Sequence, residues 1–397
     1  MRNYLYLFII IFVDVLFLLY DISNISIGYK EAWIYFFDRS FLHYLIRFSV
    51  SVFGENDFAL RIPVLLFHVA NIVLIYEVGR FFVKKDKDSL FATLLYALLP
   101  GVNSGAILVN SVTIVIFFTL LFLFLYLKGF RVLSYLILLT ALFIDNSFLI
   151  LYMALIVYGY FIKDNFMIFF SLILAVFSLL LFGIELSGKP IGYFLDIFGA
   201  YALIFSPFLF IYFFYALYRI LIREKKDILW FISFIALILS LLFSFRQKVH
   251  IEDFAAFVVV GMPVTVRVFF ASYRIRLARF RKIHRFFFIL IFGFLIFNFL
   301  ILHFNKVLFL VYENPSKHFA NKFYFVKELS KELKRDHING IVCNDEKLCL
   351  RLKFYGIEKG NNYIITQTPL NVSNSKKVSI RYMNKLVKTY YVSKINI

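Results

Sequence analysis

The chain has 397 residues, of which 62% are hydrophobic and 17% charged, and its formal net charge is +19. Soluble proteins are about 25% charged and single soluble cores stop growing near ~250–300 residues, so this much apolar surface excludes one water-soluble globule. Disorder, a collagen-like repeat and a small disulfide scaffold are excluded by the same composition, and the 55 phenylalanines read as a compositional bias with no site attached.

About 20 apolar residues cross the hydrocarbon of a bilayer. In chain order, eleven segments are predicted to span: 4–20, 62–83, 90–103, 111–127, 132–146, 148–162, 166–184, 197–218, 228–245, 254–272 and 286–304. The third, fifth and sixth are short. The first begins after three residues and lacks an A-x-A-like cleavage site, so it is expected as a retained anchor. Lys and Arg collect in cytoplasmic loops. Here they gather at 84–87, 128–131, 219–226 and, most densely, in SYRIRLARFRKIHR at 272–285. That alternation predicts a cytoplasmic N-terminus and a C-terminal part on the opposite side. The 272–285 run reads as a topology anchor that also touches lipid headgroups, and nucleic acid is not expected as a partner.

From residue 305 onward polar residues dominate. HFANKFYFVKELSKELKRDH (318–337) has apolar residues at helical spacing, and INGIVCN, LCLRLKFYG, NYIITQT and KTYYVSKI read as short strands. The expected fold is therefore mainly α: a polytopic membrane helix bundle of about eleven spans at 1–304, followed by a small extracytoplasmic α/β domain at 305–397. Cys343 and Cys349 both fall in this domain, on the oxidising side, and either a disulfide or two thiols fits them. No Cys/His cluster with zinc spacing, phosphate loop or dinucleotide fingerprint is present, and no metal site is assigned.

Ionisable groups at a membrane are expensive and mark sites. The first external loop, 21–61, holds many of them. From Glu31 to Val52 it has apolar residues at helical spacing, with Arg39, His43 and Arg47 on an i, i+4, i+8 stripe. This predicts an interfacial helix whose basic stripe faces headgroups or a phosphate. Inside the spans, His68 and Asn71 share a helix face that Asp14 is positioned to meet, and they read chiefly as packing contacts between spans.

The same loop carries Lys30-Glu31-Ala32-Trp33-Ile34-Tyr35, then Asp38-Arg39-Ser40-Phe41-Leu42, Phe53-Gly54 and Ala59-Leu60-Arg61-Ile62-Pro63. This order resembles the first-loop signature of GT-C glycosyltransferases of the protein O-mannosyltransferase and lipid A aminoarabinose transferase type. The resemblance covers about 35 residues. It implies a multi-pass protein of a bacterial inner membrane that moves a sugar from a polyprenyl-phosphate donor on the external face. The transfer inverts the anomeric centre, with a first-loop carboxylate as base. Membrane lipids and a lipid, glycan or protein acceptor are the other implied partners. No cofactor is implied, and a divalent metal is left open.

Two positions depart from the family pattern. Lys30 replaces the first acid of an Asp-Glu pair, and Asn110, in the second external loop, stands where an Asp is frequent. Asn110 hydrogen-bonds but cannot act as a base. The candidates for the base are then Glu31, Asp21 and Asp38, in that order, with a structural pairing of Glu31 to Arg39 or Arg61 as its rival role. Arg246, Lys248 and His250 in a late external loop, with Arg61 and Arg39, are the candidates for the donor phosphate. Two other readings compete: a non-catalytic protein that binds lipid-linked sugars, and a transporter of them. The transporter reading calls for repeated halves that the sequence does not show.

Overall fold

The structure is a computed structural model, and it describes residues 2–183, 192–312, 314, 317–342, 344–368, 375–382 and 385–394. The chain divides into two compact units: residues 1–16 with 64–299, and residues 17–63 with 300–397.

The first unit is helical. Its segments include the start of α1 (Arg2–Asn24) and most of α4 (Asp57–Phe82); the division between units falls within these two helices and within α16 (Ala278–His303). Between them run α5 (Asp86–Ala97), α6 (Pro100–Ile107), α7 (Val112–Leu127), α8 (Arg131–Ala141), α9 (Phe148–Ile162) and α10 (Asn165–Phe182). There follow α11 (Phe194–Phe205), α12 (Pro207–Arg223), α13 (Ile228–Ser244), α14 (Ile251–Val259) and α15 (Met262–Ile275). Each of the eleven predicted spans falls on one of these helices or on a broken pair. Among the described residues four helices, α1, α4, α10 and α16, are long and apolar enough to cross a membrane, and three bent pairs bring the number to as many as seven. The bends are 61° between α5 and α6, 105° between α11 and α12, and 43° between α14 and α15. The other predicted spans, α7, α8, α9 and α13, are 11–17 residues long.

The bends have local causes. Pro207 begins α12 and removes a donor, while Ser206 adopts φ 77, so the helical ladder cannot continue through them. Gly261 lies between α14 and α15; a Cβ there would come within 2.4 Å of Ser233 Oγ, on α13. Apolar side chains cover much of the outer surface, and only 17% of the α16 window is buried. In water such a surface would aggregate, whereas lipid solvates it. Inside, Asp14 and His68 meet at 2.7 Å and Asn71 donates to the Thr113 carbonyl at 2.9 Å.

The second unit joins α2 (Tyr29–Phe36), α3 (Phe41–Phe53) and the first turns of α4 to the C-terminal residues. There a four-stranded sheet has the order β1 (Gly340–Val342), β2 (Glu358–Thr366), β4 (Lys385–Lys394), β3 (Ser375–Tyr382). The β1–β2 pair is parallel and the others are antiparallel. The core combines Leu329 and Leu333 of α18 (Val326–Arg335) with Ile341, Ile365, Val378, Ile380 and Val392 of the sheet.

Three local expectations are corrected here. The stretch 348–356, predicted as a strand, is mostly the helix α19 (Glu346–Phe354), because Asp345 accepts from Lys347 and Leu348 N–H and starts a helical turn. The helix predicted over 318–337 is regular only at 326–335. The interfacial helix 31–52 is two helices. Asp38 accepts from Arg39 N–H and Ser40 Oγ, and Ser40 in turn caps α3, so the backbone turns at 37–40. His43 then faces inward with Nδ1 2.7 Å from the Ile34 carbonyl, and the outward stripe of α3 is Phe41, Tyr44, Phe48 and Val52. Arg39 and Arg47 stay exposed.

Candidate active site

The site is built where the chain leaves α1 and enters α2. Residues 25–28 run between the two helices, and Gly28 ends the stretch in an extended conformation as the N-cap of α2. A Cβ on Gly28 would lie 2.8 Å from the Phe323 ring. Glu31 sits at the third position of α2, and its Oε2 accepts the Gly28 N–H at 2.6 Å. This is the acidic half of a capping box: a carboxylate at N3 reaches back to the orphan donor that starts the helix.

Arg61, in the first turns of α4, donates from Nη2 to the same Glu31 oxygen at 2.9 Å, and its Nη1 lies 3.6 Å from Asp57. Its fork also meets the carbonyls of Ile25 at 3.5 Å and Ser26 at 3.3 Å. Glu31 is 2% exposed and Arg61 0%. Asp57 has two further partners, Lys327 at 2.7 Å and the Tyr355 hydroxyl at 2.7 Å. Arg351, on α19, donates from Nε to the Ile27 carbonyl at 2.6 Å and from Nη2 to Ser26 Oγ at 3.2 Å. Two buried guanidiniums thus clasp residues 25–27, and their planar forks satisfy several carbonyls at once, which an ammonium does less well.

Burial sets the electrostatics. It pulls the Arg351 guanidinium below its ordinary pKa. It also pushes the Tyr355 hydroxyl above its usual value, and the neighbouring Asp57 carboxylate pushes in the same direction. Tyr355 therefore keeps its proton and donates it to Asp57, while its oxygen accepts from Ile27 N–H at 2.9 Å.

The other candidates are not among these hydrogen-bonded partners. Asp21 is buried against His303 Nδ1. Asp38 is half-buried and occupied with the N–H and hydroxyl groups that start α3. Arg39 is exposed. In the first unit, Arg246, Lys248 and His250 are exposed, and Asn110 is half-buried with its Oδ1 lacking a partner. Cys349 is disulfide-bonded; Cys343 lies outside the described residues. Among the described residues no group of three His, Cys, Asp or Glu is arranged to hold a metal ion.

Of this cluster, sequence reasoning named Glu31 as a candidate base and Arg61 as a candidate for the donor phosphate, and named none of Lys327, Arg351 and Tyr355. These lie about 300 residues away, and nothing in their local sequence distinguishes them from other surface Lys, Arg and Tyr residues.

Residues 40–210 match the family model described as dolichyl-phosphate-mannose-protein mannosyltransferase. Among solved structures the chain is similar to the crystal structure of ArnT from Cupriavidus metallidurans bound to undecaprenyl phosphate. That similarity has 11% sequence identity and a TM-score of 0.48, over 90% of this chain and 74% of that one. None of the curated proteins matches. The family match begins after Glu31 and Asp38 and takes in Phe53-Gly54, Ala59 to Pro63 and Asn110, and with it the resemblance of this chain to the GT-C glycosyltransferases is shown.

Proposed function

We propose that the chain is an integral-membrane GT-C-type glycosyltransferase. It moves a sugar from a polyprenyl-phosphate donor to a lipid, glycan or protein acceptor on the extracytoplasmic face of a bacterial inner membrane. Its N-terminus is cytoplasmic, residues 1–304 form the membrane domain and 305–397 the external one. The observation that carries the reading is the match of residues 40–210 to a family whose description names a dolichyl-phosphate-linked mannose donor. In the reaction, the acceptor oxygen attacks the anomeric carbon from the face opposite the phosphate. The bond to the phosphate oxygen breaks, the polyprenyl phosphate leaves, and a carboxylate takes the acceptor's proton. One base suffices, since inversion needs no covalent sugar intermediate.

Glu31 is our first choice as that base, ahead of Asp21 and Asp38. Its hydrogen bonds to Arg61 and to the Gly28 N–H fix its direction, as a general base requires. Arg246, Lys248, His250 and Arg39, all exposed, are the cations we assign to the donor phosphate. Arg61 acts through Glu31, since its guanidinium is enclosed by protein groups. No cofactor enters this scheme.

The test is Glu31→Gln, because the amide keeps an acceptor for the Gly28 N–H and for Arg61. Transfer of labelled sugar from an undecaprenyl-phosphate donor into membrane acceptors should fall by about 10²–10⁴-fold per folded molecule, with the folded fraction read from thermal unfolding because the substitution also removes one charge from the Arg61 pair. Unchanged transfer rejects Glu31 as base. A second reading, a non-catalytic binder of lipid-linked sugars, is favoured by the burial of Glu31 and by Lys30 and Asn110. It predicts that the wild-type protein retains undecaprenyl phosphate yet transfers no sugar.

A further inference from the structure

The first unit contains a cavity of about 80 Å³ between α5, α12, α15 and α16. Phe91, Phe288 and Phe292 form an aromatic wall, with Phe91 5.4 Å from Phe288 and 6.0 Å from Phe292 between ring centroids. Tyr212, Thr265 and His284 also line it, and the Tyr212 hydroxyl, Thr265 Oγ1 and His284 Nε2 are buried without a hydrogen-bond partner. Thr265 is 2% exposed. Three polar atoms left bare around one apolar cavity are costly, and buried polar groups normally find partners. All three are able to donate. No Asp or Glu lines the cavity.

Charge and exposure identify the missing partner. Arg276, two residues after Arg274 at the end of α15, bears electrostatically on both His284 and Tyr212; Arg219 and Glu224 also bear on Tyr212 but are paired with each other at 3.4 Å. Arg276 belongs to the run 272–285, which carries five Arg, one Lys and no acidic residue. Arg274 of that run is taken by Asp88 at 2.5 Å. Phe287, on the cavity's edge, is 57% exposed, and its neighbours Ile283 and Phe286 are exposed too, so the cavity reaches the apolar outer surface of α16. A ligand entering there must be apolar along its body and anionic at its head. Apolar cavities of this kind take hydrocarbon in place of water, and Arg and His donors suit a phosphate.

We infer that this cavity is a binding site for an anionic phospholipid, with the head-proximal part of one chain among Phe91, Phe288 and Phe292 and the phosphate at Arg276, His284, Tyr212 and Thr265. The site shares no residue with the proposed donor site and does not depend on the glycosyltransferase reading.

The full chain, purified in a neutral detergent, is tested by thermal unfolding with added dioleoyl phosphatidylglycerol, dioleoyl phosphatidylcholine or inorganic phosphate. Phosphatidylglycerol should raise the unfolding midpoint by about 3 °C more than phosphatidylcholine, and inorganic phosphate should not reproduce the rise. Arg276→Gln should abolish the difference by removing the head contact. Ile291→Phe should do so by filling the cavity, and its unfolding without lipid reports whether it folds. Equal effects of the two lipids, a rise with phosphate alone, or a full response in both variants overturns the proposal. Should Ile291→Phe not fold, Arg276→Gln alone decides: an undiminished lipid difference refutes the site.

Discussion

Arg61 is enclosed by two carboxylates and two main-chain carbonyls, and removing it takes a buried cation from Glu31 and leaves Asp57 with Lys327 and Tyr355. Breaking one side of a buried ion pair costs far more than the intact pair contributes, about 3–5 kcal/mol. Arg61→Ala should therefore lower the thermal unfolding midpoint of the detergent-purified chain sharply. Arg61→Lys should recover only part of the loss, since one ammonium cannot span both acids. A midpoint unchanged in Arg61→Ala would show that the cluster does not hold the unit together. Tyr355 supplies a pH-dependent counterpart. Its folded pKa is raised, so the unfolded chain ionises first, near the ordinary value of about 10. The stability this adds is complete below that pH and is lost above it. Tyr355→Phe should unfold more readily than wild type at pH 8, by about 1–3 kcal/mol for the stranded Asp57 and Ile27 groups. The gap should narrow as the pH passes about 10; a gap that widens there would contradict the assignment. Glu31 was legible in the sequence because its neighbours form an ordered signature, and Arg61 was one of the two partners named for it; the choice of Arg61 over Arg39 was not legible. Arg61 had several acids to choose from, and only the path of residues 25–28 selected two of them.

At the scale of elements, each of the eleven segments picked out by hydropathy falls on a helix or a bent pair of helices among the described residues, because a lipid-facing helix must be apolar along its length and needs no partner to show it. The bends were not legible. Ser206 and Gly261 look ordinary in an apolar run, and the break at Gly261 depends on α13 lying against it. Gly261→Ala would bring a methyl group within 2.4 Å of Ser233 Oγ and 3.1 Å of the Phe213 ring. It should destabilise by about 1–3 kcal/mol, as overpacking does. Combining it with Ser233→Gly should restore part of the loss through coupling between contacting sites. Purely additive losses in the double variant would place the strain elsewhere. The misread helix α19 has a related cause. LCLRLKF alternates like a strand, and the Asp345 cap that settles the question contributes through two backbone N–H groups, not through hydrophobic pattern.

At the scale of the whole molecule, the basic loops make a directional prediction. A cysteine placed at Lys282 should react with a membrane-impermeant maleimide only in inside-out vesicles, and one at Lys359 only in right-side-out vesicles. Labelling of both positions from one side would invert or break the proposed topology. Composition and periodicity by themselves determined that the chain is a multi-helix membrane protein with a small α/β segment after its apolar helices, and the ordered residues between 30 and 63 carried a resemblance to the GT-C first-loop signature. Those properties are written in consecutive residues, since transfer to lipid is decided by the apolar content of each local segment. Only the tertiary structure decided which charges are enclosed together, that residues 17–63 pack as one unit with 300–397, and that three polar atoms surround an apolar cavity. Those arise from contacts between distant segments, where the energy of a charge depends on what surrounds it and not on its place in the sequence.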